Sequence, residues 1–512
     1  MEHKMDSKEI SISKTILNTS CEQPIDANFT LPDYCPDIQK ILKCCVTPKI
    51  SSRKLSDNRL NIDGDLIIGI LYSDSEHKQV KYCDYSLPFS HFFDISTPYD
   101  ELVMPLLFTD AKTEYVNCRA VSPRKINVHG AFGLFAKILC KASQEIITNI
   151  DSDDIEQKKD TVTVSNIISQ GQQNFLVSEI LELAKGKPPI QSIIRTNLHI
   201  SLKNYKAIDN KIILKAEAAL KILYISDMEK SNIDTMQYII PISQIVDLDG
   251  LNENSEFVLD LDVLNYTCSV HSDSSGDDTL IDFEAKLSAC IVSFENVDIC
   301  VLVDAFSRKY ETNLEYKLTS SEKIVDTITN SHTSKEIIPC EDNIEQIIDV
   351  WSDNIKSSVS KSDNNFTIIG KFNICILALD ENSQAVYIEK TVNFEHPVNT
   401  PVNKNIKCSC KADVTSINYR LTSSGDIEAK TDILFNLNIC QIHSCKSVCY
   451  AFADEDKPIP KKDATVIIYY ASNHESVWDI ARKYSCSLQN IIDENEIEDD
   501  VISDNGVIFI PV

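Results

Sequence analysis

The chain has 512 residues, 43% of them hydrophobic and 25% charged, with a formal net charge of −28. That length is too great for one hydrophobic core, so about three to five domains are expected, and the apolar content excludes disorder over most of the chain. The charge argues against nucleic acid, which needs clustered Lys and Arg, and against an anionic membrane surface as a general partner.

Residues 1–14 (MEHKMDSKEISISK) are polar and hold no apolar run of the secretory kind. No stretch of about 18 apolar residues follows, so no spanning segment is expected. The first helix candidate is DIQKILKCC at 37–45. A second, FLVSEILELA at 175–184, has apolar residues three and four apart.

Between and beyond these candidates the chain repeats itself. Asp57-Asn58 matches Asp209-Asn210 at an offset of 152 (209 − 57), and the latter matches Asp363-Asn364 at 154 (363 − 209). Ile70-Leu71-Tyr72, Ile222-Leu223-Tyr224 and Ile376-Leu377 hold the same two offsets. Leu87-Pro88-Phe89-Ser90 pairs with Ile240-Pro241-Ile242-Ser243 one residue further on. A register kept over such distances marks an internal repeat. Each copy reads as β: Asp-Asn signals a turn, and the run behind it alternates polar and apolar, as in Asn61-Ile62-Asp63-Gly64-Asp65-Leu66. Lys125-Ile126-Asn127-Val128-His129-Gly130 echoes that phrase, so each copy is expected to hold two β-meanders.

Composition turns polar over 142–172, and 454–463 (DEDKPIPKKD) reads as a semi-rigid linker. The expected units are therefore 1–150, a first repeat with an N-terminal extension; 173–318, a second; 319–453, a third and diverged; and 464–512, a small last domain. The whole is mainly β.

The last segment reads as strand, helix, helix, strand. Residues 466–470 form the first strand. Ser476 and Asp479 fit a capping box, with Val477, Ile480, Ala481 and Tyr484 following at helical spacing. Ser487 opens a second helix carrying Leu488, Ile491 and Ile492. Gly506 turns into a closing strand at 507–510, which Pro511 stops.

Marks of catalysis are missing. The chain contains no G-x-x-x-x-G-K-[ST], G-x-G-x-x-G, H-E-x-x-H or G-x-S-x-G phrase, and only 11 glycines. His91, beside Phe92 and Phe93, reads as a packed strand residue rather than an acid–base group. Arg124-Lys125 reads as a solvated turn, with docking as the sharper alternative. Among the 18 cysteines, Cys408 and Cys410, and Cys440, Cys445 and Cys449, are spaced too irregularly for structural zinc, so no metal or cofactor is expected.

Tyr470, Ser476, Val477, Trp478, Ile480, Ala481, Tyr484, Asn495, Gly506, Ile510 and Pro511 resemble the pattern of a LysM domain. His474-Glu475 replaces the Gly-Asp of sugar-binding members, and Asn495 to Asp500 forms an acidic lip, which argues against glycan binding. LPDYCPDIQKILKC (from Leu31), LPFSHFFDI (from Leu87) and SPRKINV (from Ser122) resemble the spore-coat-associated SPOCS domain. SPOCS-like repeats followed by one LysM domain resemble the SipL type of spore coat morphogenetic protein. The resemblance implies a non-enzymatic scaffold in the mother-cell cytoplasm, at the forespore surface. It further implies that the LysM domain binds the coat basal-layer ATPase (stage IV sporulation protein A), alongside contacts to other coat proteins, and promotes coat encasement. The alternative is a binder of cortex or wall peptidoglycan acting through LysM. The expected partner surface is His474, Glu475, Ser476, Val477, Trp478, Asn495, Glu496, Ile497 and Glu498, with an exposed Trp478 or Val477 as its apolar centre and the acids as its rim.

Overall fold

A computed structural model describes residues 4–75, 79–227, 232–340, 343–362, 365–398, 405–460, 464–497 and 500–511, with the side chains of 319–321 set aside. Asp363 and Asn364, the expected turn of the third copy, lie outside these, as do Glu498, Asp499 and residues 461–463.

The chain builds the same six-stranded unit three times. In the first module, β1 (Met5–Thr30), β6 (Lys125–Ile150) and β5 (Leu106–Ser122) form one sheet in the order β1-β6-β5. Its second sheet is β2 (Ile38–Ser56), β3 (Arg59–Asp74) and β4 (Val80–Asp94). The second module repeats this with β7 (Ile155–Glu182), β8 (Ser192–Ile208), β9 (Lys211–Asp227), β10 (Asn232–Asp247), β11 (Glu256–Ser272) and β12 (Asp278–Ser307). The third uses β13 (Tyr310–Ile338), β14 (Ile344–Lys361), β15 (Phe366–Asp380), β16 (Ala385–Val398), β17 (Ile406–Leu421) and β18 (Ile427–Pro458). All pairing is antiparallel. The alternation read from Asn61 onward is this pattern: Leu60, Ile62, Leu66 and Ile68 turn inward and are fully or almost fully buried between the sheets.

Hydrogen bonds repeat with the strands. Tyr72 and Tyr224 donate to the carbonyls of Pro36 and Pro188, both at 3.2 Å. Tyr85 and Tyr238 donate to Thr30 and Glu182 at 3.0 and 3.1 Å. Asn58 and Asn210 take positive φ, 58° and 56°, and each side chain accepts a backbone amide beyond the next two strands, Tyr99 and Gly250. Asn tolerates that backbone better than other side chains, which is why the turn is written Asp-Asn.

Three expectations change. Of the two helix candidates, residues 38–45 and 175–182 are strand, in β2 and β7, not helix. In β2 the pairing slips between Ile38 and Lys40 and again between Ile41 and Lys43, and these bulges break the period of two into a helix-like spacing. In β7, Leu176 and Ile180 face outward and are exposed, so apolar residues fall on both faces of a strand. Sheet pairing also groups 155–307 and 310–458 as the second and third modules. The polar stretch 142–172 belongs to β6 and β7 on either side of a tight turn, and 454–458 continues β18, where Lys457 bridges Glu311 and Asp454.

Each module touches both others. The outer strands, 26 to 32 residues long, run past their sandwiches as paired ribbons. The ribbons pack together through Ile147, Ile150, Ile155, Leu302, Val448 and Ala451. The second sheets meet at Leu42, Ile194, Ile348, Trp351 and Leu377. Leu42, Ile194 and Ile348 are the extra residues of three bulges, between Ile41 and Lys43, Ile193 and Arg195, and Ile347 and Asp349. They stand 152 and 154 apart (194 − 42, 348 − 194), the offsets of the sequence repeat. One bulge per module thus re-aims one aliphatic side chain into the shared junction.

Candidate functional site

Two features stand out from the repeated body: a cleft where the modules meet, and the small domain at the end of the chain. The cleft, about 340 Å³, is lined by Lys43, Lys49, Arg195, Tyr266, Trp351 and Asp353 among others. Its charges are largely committed. Lys43 pairs with Glu389 at 2.7 Å, Arg195 lies 4.9 Å over the Trp351 ring, and Lys49 donates to the Tyr266 carbonyl at 3.2 Å. Beneath them buried Asp349 pairs with Lys221. The cleft serves as the joint of the three modules.

The last domain is β19 (Val466–Ala471), α1 (Val477–Tyr484), α2 (Leu488–Asn495) and β20 (Gly506–Pro511), with β19 and β20 antiparallel. This is the expected β-α-α-β order. Ser476 caps α1, its hydroxyl accepting the Asp479 amide at 3.4 Å. Ser485 and Glu496 end the two helices in the left-handed conformation. Val477, Ile480, Ala481, Cys486, Ile491, Ile508 and Ile510 fill the core.

The expected partner surface splits into exposed and buried parts. The loop before α1 and the segment after α2 do lie side by side. The His474 amide donates to Ile502 at 2.9 Å, the Val477 amide to Asp500 at 3.0 Å, and Ser476 bridges Val501. His474 and Glu496 are exposed, while Glu475, Ser476, Asn495 and Ile497 are half-buried. Glu475 is tied inward: Tyr469 donates to it at 2.6 Å and the Ser472 amide at 3.0 Å. The Tyr469 hydroxyl bond holds its carboxyl below the usual range. Asn495 latches β20, donating to the Phe509 carbonyl and accepting the Phe509 amide, both at 2.6 Å. Glu498 lies outside the described residues.

Val477 and Trp478 do not supply an exposed apolar centre. Val477 is 0% exposed, inside the domain core. Trp478 is 5% exposed because the domain leans on the second module. Its indole nitrogen donates to Asp304 at 2.9 Å, and its ring meets Phe306 edge-on at 5.0 Å. Arg482 reaches the same Asp304 oxygen at 2.6 Å, and Tyr316 donates to the other at 2.8 Å. A large aromatic ring with one polar atom is buried well only where that atom finds a partner. Asp304 lies 174 residues away, and its one sequence signal is a lone acid inside the apolar run ICVLVDAF.

Two motif residues also find places. The expected turn is present at Pro123–Arg124, with Lys125 exposed, but the Arg124 side chain is not free to dock. It donates to the carbonyls of Cys35 (3.0 Å) and Pro32 (2.8 Å) and to the Asp37 carboxylate (2.9 Å), so the SPRK phrase clamps the LPDYCPD phrase. His91 packs edge-on against Phe93 and sits 3.2 Å from the Cys21 sulfur. Among the described residues no group of three or more His, Cys, Asp or Glu gathers as metal ligands, and all 18 cysteines are free thiols.

Neither a curated protein nor a solved structure matches the chain. A family model described as SipL, SPOCS domain matches residues 37–121 and 189–271. The two matches fall on equivalent strands, β2 to β5 and β8 to β11, which include the bulge, the positive-φ Asn and both hydrogen-bonding tyrosines of each module. Residues 37–121 and 189–271 are thus two regions similar to the SPOCS domain of SipL, built on the same strand framework in the first and second modules.

Proposed function

We propose that this protein is a non-enzymatic scaffold of the spore coat. It works in the mother-cell cytoplasm at the forespore surface, and its C-terminal domain, which resembles LysM, docks the coat basal-layer ATPase, stage IV sporulation protein A. The three-module body then carries that contact outward to other coat proteins and promotes encasement. The observation that carries this reading is the SPOCS match on equivalent strands of two modules, joined to a β-α-α-β domain fastened on the body.

The motif residues favour a structural role over chemistry. Arg124, Tyr72, Tyr85 and Asn58 spend their polar atoms on backbone groups of their own module. In the last domain, the acids at the lip disfavour a neutral glycan, and the anchored Glu475 narrows the loop that would receive it.

The test is co-purification of the full chain with the purified ATPase, run beside sedimentation with insoluble cortex glycan. Retention by the ATPase and none by glycan is expected. Strong glycan retention that chitin oligomers abolish would replace this reading with the peptidoglycan one.

A further inference from the structure

The two-stranded sheet of the last domain is apolar on both faces. Ile467, Tyr469, Ala471, Ile508 and Ile510 pack under the helices. The opposite face carries Val466, Ile468 and Tyr470 on β19 and Val507 and Phe509 on β20, at 43%, 70%, 69%, 52% and 43% exposure. Register sets Ile468 against Phe509, Tyr470 against Val507 and Val466 against Pro511, so the five side chains form one continuous strip. The domain meets the body through Trp478 and Arg482 on α1, which leaves this face outward. A strand needs one apolar face to fold; a second is written where something else will cover it.

We propose that this outer face of β19 and β20 is the surface on which the domain docks its protein partner, and that the partner offers an apolar strip bordered by lysines and arginines. The inference rests on the reading above that the domain docks a protein. Charge names the kind of partner. Residues 464–512 hold nine acids and two bases, a net −7 (2 − 9). Both bases are occupied: Arg482 by Asp304, and Lys483 over the Tyr469 ring at 4.9 Å. A second copy of this chain would bring the same acidic domain and a net −28 of its own, and like charges set against each other oppose docking. A basic border is drawn in, and the buried strip holds it.

The probe is the purified ATPase, measured against the full chain. Ile468→Ser with Phe509→Ser should raise Kd about 30-fold or more, with an unchanged melting curve because both side chains are exposed. Ile468→Lys should weaken binding more than Ile468→Glu, since only the first opposes a basic border. Equal binding by parent and double variant would overturn this surface and leave the choice of partner standing. Stronger loss from Ile468→Glu than from Ile468→Lys would overturn the basic partner. Self-association of the parent that the double variant abolishes would assign the face to a second copy instead. A parent chain that does not bind the ATPase at all would remove the partner reading, and this inference with it.

Discussion

A Cβ on Gly64 would fall 2.6 Å from the Phe89 ring and 2.2 Å from the Lys49 carbonyl. In the third module, a Cβ on Gly370 would fall 2.3 Å from Phe394 and 2.5 Å from the Lys356 carbonyl. The second module has Ala216 at this place, and its cross-strand partner is Ile242, smaller at the point of contact. Glycine and a ring in the first and third modules, alanine and a branched chain in the second, fill the same space by different division. The constraint is packing, since neither glycine has a backbone angle that only glycine favours. Gly370→Ala should therefore cost about 1–3 kcal/mol, the usual range for overpacking a filled core. Adding Phe394→Ile should recover part of it. Denaturant unfolding of the three proteins decides; a silent Gly370→Ala would show that the sheets part easily here.

Among the elements, the joint between α1 and β12 depends on one carboxylate. Asp304 accepts the Trp478 indole, the Arg482 guanidinium and the Tyr316 hydroxyl. It follows a slip in pairing between Leu302 and Asp304, which turns its side chain out of the strand's regular alternation. Asp304→Ala leaves a buried indole N–H and a guanidinium without their acceptor, at a cost of roughly 1–3 kcal/mol. The C-terminal domain should then loosen while the modules stay folded. In a Trp351→Phe background, Trp478 is the sole tryptophan, and its emission should move to longer wavelength on Asp304→Ala. Unchanged emission would mean that Phe306 alone holds the ring.

For the whole molecule, the shared clusters make the modules interdependent. A chain ending at Ser307 loses Trp351, Cys375 and Leu377 from the junction and Val448 and Ala451 from the ribbons. It should expose the facing apolar residues of the first two modules, aggregate, and melt well below the full chain. A chain ending at Pro458 keeps both clusters and uncovers chiefly Phe306, so it should stay soluble with one cooperative transition. Light scattering and calorimetry on the two truncations separate a joined body from three beads on a string, for which both would melt alike.

The repeat, its β character and the strand–helix–helix–strand ending were legible in the residues, because turn chemistry, period and capping are local. Asp57-Asn58, the alternation after it, and Ser476 with Asp479 each act within a few residues of themselves. Module limits and two strands were misread for the same reason. A bulge at Leu42 and an outward Leu176 imitate helical spacing, and only pairing with β3 and β12 makes those segments strand. The candidate surface divided along this line too. The closeness of the loop at 473–477 to the segment near Asp500 follows from the β-α-α-β order alone. The burial of Trp478 does not, since it depends on Asp304 and Phe306, more than 170 residues earlier. Local physics writes the elements into the sequence; which face of each element is covered is decided by what the rest of the chain brings against it.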